Sequence, residues 1–181
     1  MADVLYVRIP QERIGVLIGP GGETKRRLEE ETLVKVLVDS ETGEVTIDES
    51  AAKDKFLAVK ARDIVLAIGR GFSEERAFRL LGDDSYFVVL DIKDYARTSE
   101  RIAQVRARVI GTRGKTRRII EDLTGADMSV YGHTVALIAD DFQLPIAQGA
   151  VEMLLKGSEH KTVYRFLERK RAELRIAEMG F

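Results

Sequence analysis

Hydrophobic residues along this chain change period several times, and the changes come in a set order. Residues 4–9 are an apolar-rich run stopped by Pro10, which predicts a short strand. Over residues 11–18 the apolar positions Ile14, Leu17 and Ile18 fall on one helical stripe. Residues 19–22 are a glycine-rich turn, and residues 23–31 resume as a helix with Leu28 inward. Apolar positions then alternate around Lys35 and Leu37, predicting a strand over 33–39. A turn at 40–43 returns the chain as a hairpin strand over 44–47. A long helix follows over 51–68, with Phe56, Val59, Ile64, Leu66 and Ile68 as its apolar contacts. A further short helix is expected near 74–81.

The second half repeats this order. It predicts a strand over 86–92, helices over 99–110 and 115–123, and a C-cap at Gly125. Strands over 126–131 and 134–139 flank Gly132-His133, and a helix spans 144–155. A last helix begins near residue 162 and runs on, highly charged, to Met179. The segment 82–85 reads as a seam, giving domains 1–82 and 83–181. Internal repetition of this kind outranks any single motif as a fold clue.

The repeat carries one motif at matching places. It reads Ile18-Gly19-Pro20-Gly21-Gly22-Glu23-Thr24-Lys25-Arg26 and Ile110-Gly111-Thr112-Arg113-Gly114-Lys115-Thr116-Arg117-Arg118, 92 residues apart. Both fit Ile-Gly-x-x-Gly-x-Thr-basic-Arg. Glycine lets a backbone approach a ligand closely and take positive φ. The next helix opens with unpaired amides and the positive end of its dipole. Such a turn is built to receive phosphate.

Composition narrows the chemistry. The 181 residues are 45% hydrophobic, enough for a core, and 33% charged. No apolar run is long enough to span a membrane, and the start, Met1-Ala2-Asp3-Val4, shows no secretory signal. Cysteine is absent, which excludes disulfides, thiol catalysis and Cys-ligated zinc. A cytoplasmic protein is expected. Net charge is −1, but its distribution matters more than its sum. Residues 101–118 hold seven basic residues and no acidic one.

Strand-helix-helix-strand-strand-helix with Gly-x-x-Gly between the first two helices resembles the type I KH domain, twice over. The resemblance implies an α+β fold, with a three-stranded antiparallel sheet packed on helices in each domain and an added C-terminal helix. A KH domain clamps about four nucleotides of single strand, its Gly-x-x-Gly loop on their backbone. Lys25 and Arg117 stand where KH domains usually carry an apolar residue. That variant, in a tandem pair of this length, resembles the Partner-of-Nob-One or Dim-two family of ribosome-biogenesis factors in their compact archaeal form. The resemblance implies binding of single-stranded RNA near the 3′ end of small-subunit rRNA, beside a Nob-type endonuclease and pre-ribosomal proteins. Eukaryotic relatives have a degenerate first loop; both loops here keep their glycines.

The candidate RNA-binding residues are Gly111, Thr112, Arg113, Gly114, Lys115, Arg117, Arg118 and Arg108 in the second domain. In the first they are Gly19, Pro20, Gly21, Gly22, Lys25 and Arg26. The loops differ in chemistry. Pro20 has no N–H to donate, whereas Arg113 can meet a phosphate bidentately and Thr112 adds a hydroxyl. The second domain is therefore expected to be the main grip, with the first a weaker grip or a protein-docking surface. Base recognition is expected from Ile110, Ile119 or Ile120 and from Met128-Ser129-Val130-Tyr131.

An enzyme is not expected. Gly114-Lys115-Thr116 imitates the end of a P-loop, but the required first glycine is Val109 and a helix precedes the turn. Asp141 is expected to cap the helix after it, and Asp83-Asp84 to mark the seam. His133 and His160 sit in a hairpin turn and a linker-like stretch. No cofactor, metal or membrane is implied. A tandem KH module serving RNA degradation or messenger control is the competing function.

Overall fold

A computed structural model describes residues 3–180; Met1 and Ala2, on which the absence of a secretory signal partly rests, lie outside the described residues, as does Phe181. The chain divides into two compact units, Met1–Asp83 and Asp84–Phe181.

The first unit runs β1 (Val4–Arg8), α1 (Gln11–Ile18), α2 (Glu23–Thr32), β2 (Lys35–Val38), β3 (Glu44–Asp48), α3 (Lys55–Gly69) and α4 (Glu74–Ala77). Its sheet is antiparallel in the order β1-β3-β2. Tyr6 and Leu37 both pair with Thr46, so one side-chain row crosses all three strands on the exposed face. Val36, Val45 and Ile47 point inward and are buried with Ile14, Leu17, Leu28, Ile64 and Ile68 from the helices. Asp39 closes the β2–β3 turn. Its carboxylate accepts the amides of Glu41 and Thr42, and these hold its carboxyl below the ordinary range.

The second unit runs β4 (Tyr86–Asp91), α5 (Ser99–Ile110), α6 (Lys115–Thr124), β5 (Asp127–Tyr131), β6 (Thr134–Ala139), α7 (Gln143–Leu155) and α8 (His160–Glu178). Its sheet has the equivalent order β4-β6-β5, with β6 central and buried throughout. The core joins Val105, Val109, Ile120, Met128, Leu137 and Val151 to Val163 and Leu167 of α8. Both units thus have the predicted α+β fold, with α8 as the added C-terminal helix.

Local chemistry moves several predicted boundaries. The third helix starts at Lys55, not residue 51, because Asp54 caps it and accepts the Phe56 amide at 2.9 Å. Phe56 is 53% exposed and Val59 is also exposed; the inward stripe of α3 is Ala58, Ala61, Ile64, Val65 and Ile68. Small residues fit there because α1 and β1 pack closely on this helix. The carboxylate that serves the start of α7 is Asp140, not Asp141. It accepts the amides of Phe142 and Gln143, and the Gln143 side chain answers by accepting the Asp140 amide. That reciprocal pair leaves Asp141 exposed. The expected linker around His160 is the first turn of one continuous helix.

Leu33, expected to open a strand, instead ends α2 in the left-handed region at φ 58°. Its equivalent 92 residues on is Gly125, at φ 80°. An L-residue there costs about 1–2 kcal/mol, part of which glycine returns through its freer unfolded chain. Leu33→Gly should raise the unfolding free energy by about 0.5–1 kcal/mol, read as a higher denaturant midpoint at unchanged slope.

Candidate nucleic-acid interface

Each motif folds as a hinge between two helices. Gly19 and Gly111 end α1 and α5 with φ of 73° and 77°. Their amides donate back to Gly15 O and Ala107 O. One turn of 3₁₀ follows, Pro20–Gly22 or Thr112–Gly114, and α2 or α6 starts at once. Gly22 and Gly114 are left-handed, at φ 77° and 74°.

The first glycine and the threonine five residues on are packed into each other. A β-carbon on Gly19 would stand 2.7 Å from Thr24 Cβ, and one on Gly111 2.8 Å from Thr116 Cβ, with the hydroxyl oxygens nearer still. A β-carbon on either second glycine, Gly22 or Gly114, would meet only an arginine side-chain nitrogen at 3.9 Å, an ordinary contact. Thr24 and Thr116 are buried and use their hydroxyls inward. Thr24 donates to Glu74 Oε2 at 2.9 Å, whereas Thr116 pairs with the Tyr164 hydroxyl at 2.9 Å.

The basic residues after each hinge mostly serve the fold. Lys25 pairs with Glu29 at 3.2 Å and Arg117 with Glu121 at 3.1 Å. Each of these glutamates also accepts a strand amide, that of Val36 or Met128. This explains why a cation replaces the usual apolar residue: it neutralises a carboxylate that ties helix to sheet. Arg26 and Arg118 turn back onto their own hinges and donate to Gly21 O at 3.1 Å and Arg113 O at 2.8 Å. Arg108 is not a free cation. Its guanidinium donates to Leu154 O in the last turn of α7 and to Ser158 O just beyond it. Arg13 does the same in the first unit, on Ile68 O and Phe72 O.

What is left over differs between the hinges. At the second, Thr112, Arg113 and Lys115 are exposed, and neither cation has a partner among the described residues. The amides of Thr112 and Arg113 have no acceptor among the described contacts. At the first, Pro20 and Gly21 are exposed and uncharged, and Glu23 opens the helix where Lys115 opens its counterpart. Arg27 is held by Glu74 and lies 4.1 Å over the Phe78 ring. The second hinge therefore presents amides and cations at a helix N-terminus, a surface for an anionic chain. The first presents amides beside carboxylates.

Arg113 adopts φ 54°, where the first hinge has Gly21 at 61°. A strained arginine thus stands exposed in the turn.

The candidate base-reading wall is smaller than expected. Ile120 and Met128 are fully buried and belong to the core, since they face the sheet and α7. Ile110, Ile119, Ser129, Val130 and Tyr131 keep partial exposure. His133 holds the β4–β6 corner, its Nδ1 2.9 Å from Asp91 Oδ1. Burial works to raise the Asp91 pKa, but the Lys93 amide and His133 outweigh it and bring it below the ordinary value. Thr116, the residue in the P-loop threonine position, is buried behind the turn. Among the described residues, no cluster of three or more His, Asp or Glu is placed to hold a metal, and no helix is long and apolar enough to cross a membrane. Sequence reasoning missed Tyr164 and His160, which α8 brings to the second hinge; only their i, i+4 spacing hinted at a shared face.

The two kinds of hinge glycine should respond differently. Gly111→Ala adds a steric clash to backbone strain and should cost about 3 kcal/mol of stability. Gly114→Ala meets strain alone and should cost about 1–2 kcal/mol. Chemical denaturation of the two variants checks the order.

Comparison with known proteins agrees with this architecture. Residues 86–172 match the family model for the eukaryotic type KH-domain (KH-domain type I), and residues 4–58 match the KH domain model. The chain is 48% identical over 176 residues to the KH domain-containing protein MJ0443 of Methanocaldococcus jannaschii, covering 97% of this chain and 77% of that protein. It is similar to the crystal structure of Dim2p from Pyrococcus horikoshii OT3, with TM-score 0.85 and 50% identity over 92% of this chain and 99% of that one. It is also similar to a chain in the a/eIF2alpha-aDim2p-rRNA complex from the same organism, with TM-score 0.88 and 48% identity, covering 96% of this chain and 97% of that one. Two KH units in one chain, with likeness to Dim2p over nearly their whole length, place this protein in the archaeal Dim2p/PNO1 family of tandem KH-domain proteins.

Proposed function

We propose that this protein binds single-stranded RNA, and that its second unit is the principal grip. The observation that carries the reading is the second hinge: among the described residues, the Thr112 and Arg113 amides find no acceptor and the Arg113 and Lys115 side chains no partner, and all stand at a helix N-terminus at one exposed turn. Gly111 and Gly114 let the phosphate chain approach the backbone. Thr112 and Arg113 donate to the phosphates, and Lys115 adds a point charge. Arg117 and Arg118 hold the hinge in shape, and Arg108 anchors the helix before it. In the first unit Gly19, Pro20, Gly21 and Gly22 form the same turn, with Lys25 and Arg26 bracing it. Glu23 and Glu74 disfavour an anion there, so this unit is a weaker grip or a protein-docking surface.

The RNA is proposed to be the 3′ region of small-subunit rRNA during ribosome assembly, in the cytoplasm. Support comes from likeness to a Dim2p chain solved with rRNA. On this reading the neighbours are pre-ribosomal proteins and a Nob-type endonuclease, and the chain itself binds rather than catalyses. Crosslinking in cells followed by sequencing of the attached RNA tests it. Enrichment at the mature 3′ end of small-subunit rRNA supports the assignment; scatter over messengers favours a role in messenger control or RNA degradation.

Exchange between the hinges tests the assignment of the grip. Lys115→Glu, which gives the second hinge the residue of the first, should weaken RNA binding about tenfold or more, since a charge-assisted contact contributes about 1.5–3 kcal/mol. Glu23→Lys should strengthen it. Arg113→Gly should relieve strain and stabilise the second unit by about 0.5–1 kcal/mol, yet lower RNA affinity about tenfold. Pro20→Ala should leave affinity nearly unchanged. Titration by fluorescence anisotropy, paired with denaturation, separates these effects.

A further inference from the structure

We propose that the second unit seats one nucleotide beyond the four held by the hinge, in a cavity that α8 builds behind that hinge; this rests on the single-strand reading above. The cavity measures about 400 Å³. Gly111, Thr112, Lys115 and Thr116 line it from the hinge side, and His160 and Tyr164 from α8. Its mouth is therefore shared with the phosphate-facing turn.

The lining fits a planar, anionic ligand. Tyr164 and His160 supply aromatic surface, their ring centres 6.0 Å apart and tilted by 47°. Both rings are fixed before any ligand arrives. The Tyr164 hydroxyl is tied to Thr116 Oγ1 at 2.9 Å, and His160 Nε2 donates to Arg108 O at 2.8 Å. Lys115 stands at the rim without a partner among the described residues. A base stacked on Tyr164, joined to the clamped strand through the phosphate held at Lys115 and the Thr112 amide, would use the ring face and that cation together. Base stacking on an aromatic ring needs no particular base, so this seat adds affinity and not sequence choice. Lys161, Arg165 and Arg169 recur at four-residue spacing on α8 and have no partner among the described contacts, which extends the positive surface away from the cavity.

The first unit backs its hinge differently. Its α4 is a single turn, and it sets the Glu74 carboxylate on Thr24 in the place of the Tyr164 hydroxyl. A carboxylate at that point repels a phosphate. The two hinges thus differ in what stands behind them as well as in what they expose.

The test uses RNA strands of four and eight nucleotides ending at the 3′ terminus of small-subunit rRNA, titrated against the full chain. The wild type should bind the longer strand at least about tenfold more tightly, as one stacked base allows. Tyr164→Ala should remove most of that gain and leave four-nucleotide affinity within about twofold, whereas Tyr164→Phe, which loses the Thr116 bond but keeps the ring, should retain the gain. With the wild type, 5-iodouridine placed outside the four clamped nucleotides should crosslink to the peptide carrying His160 and Tyr164. No gain with length, equal losses on both strands, or no crosslink to that peptide would each overturn the proposal. Unchanged binding of both strands by Arg113→Ala would instead sink the hinge reading itself.

Discussion

Each unit closes only because residues 19 and 111 lack a β-carbon. The space a methyl group would take is filled by a threonine side chain five residues later. That contact brings the end of one helix against the start of the next, so the second helix points its free amides outward at the turn. It also carries the threonine hydroxyl into the interior, where α4 or α8 meets it. The hinge, the direction of the following helix and the docking of the last helical element are thus one packing arrangement. Larger residues at the glycine would open all three together.

Upon that shared backbone the two units carry different charge. The glutamate that ties helix to strand, the cation that neutralises it and the arginine that folds back on the turn occur in both. These contacts are structural and were kept. At the hinge itself the units differ at positions that face outward or stand behind the turn: Pro20 against Thr112, Gly21 against Arg113, Glu23 against Lys115, Glu74 against Tyr164. Salt screens such exposed charges readily, so the difference between the units is one of surface electrostatics laid over a common scaffold.

Much of this was legible in the amino-acid order. Hinges announce themselves because glycine spacing and helical period are local signals, and duplication at a fixed interval doubled each of them. Strand and helix order followed for the same reason. What stayed hidden depends on partners distant along the chain. Phe56 looks like a core residue until Ala58 and Ala61 prove to face the closely packed neighbours. Arg108 looks like a phosphate ligand until the end of α7 arrives beside it. Leu33 carries no mark of left-handed backbone; only its alignment with Gly125 suggests one. Tyr164 and His160 belong to a helix whose place against the second hinge no periodicity reveals.

The guanidinium braces show how far such hidden contacts can wander. Arg13 and Arg108 perform one task, grasping a carbonyl in the last turn of the long helix and one just beyond its end: Ile68 and Phe72 in one unit, Leu154 and Ser158 in the other. Yet they do not occupy corresponding positions, for the residue 92 places after Arg13 is Val105, one helical turn short of Arg108. The side chain is long enough to reach the same oxygens from either step. Column-by-column comparison of the halves would therefore score the brace as lost, although its geometry survives intact, and ancestry here is better traced through the carbonyls that are held than through the residue that holds them.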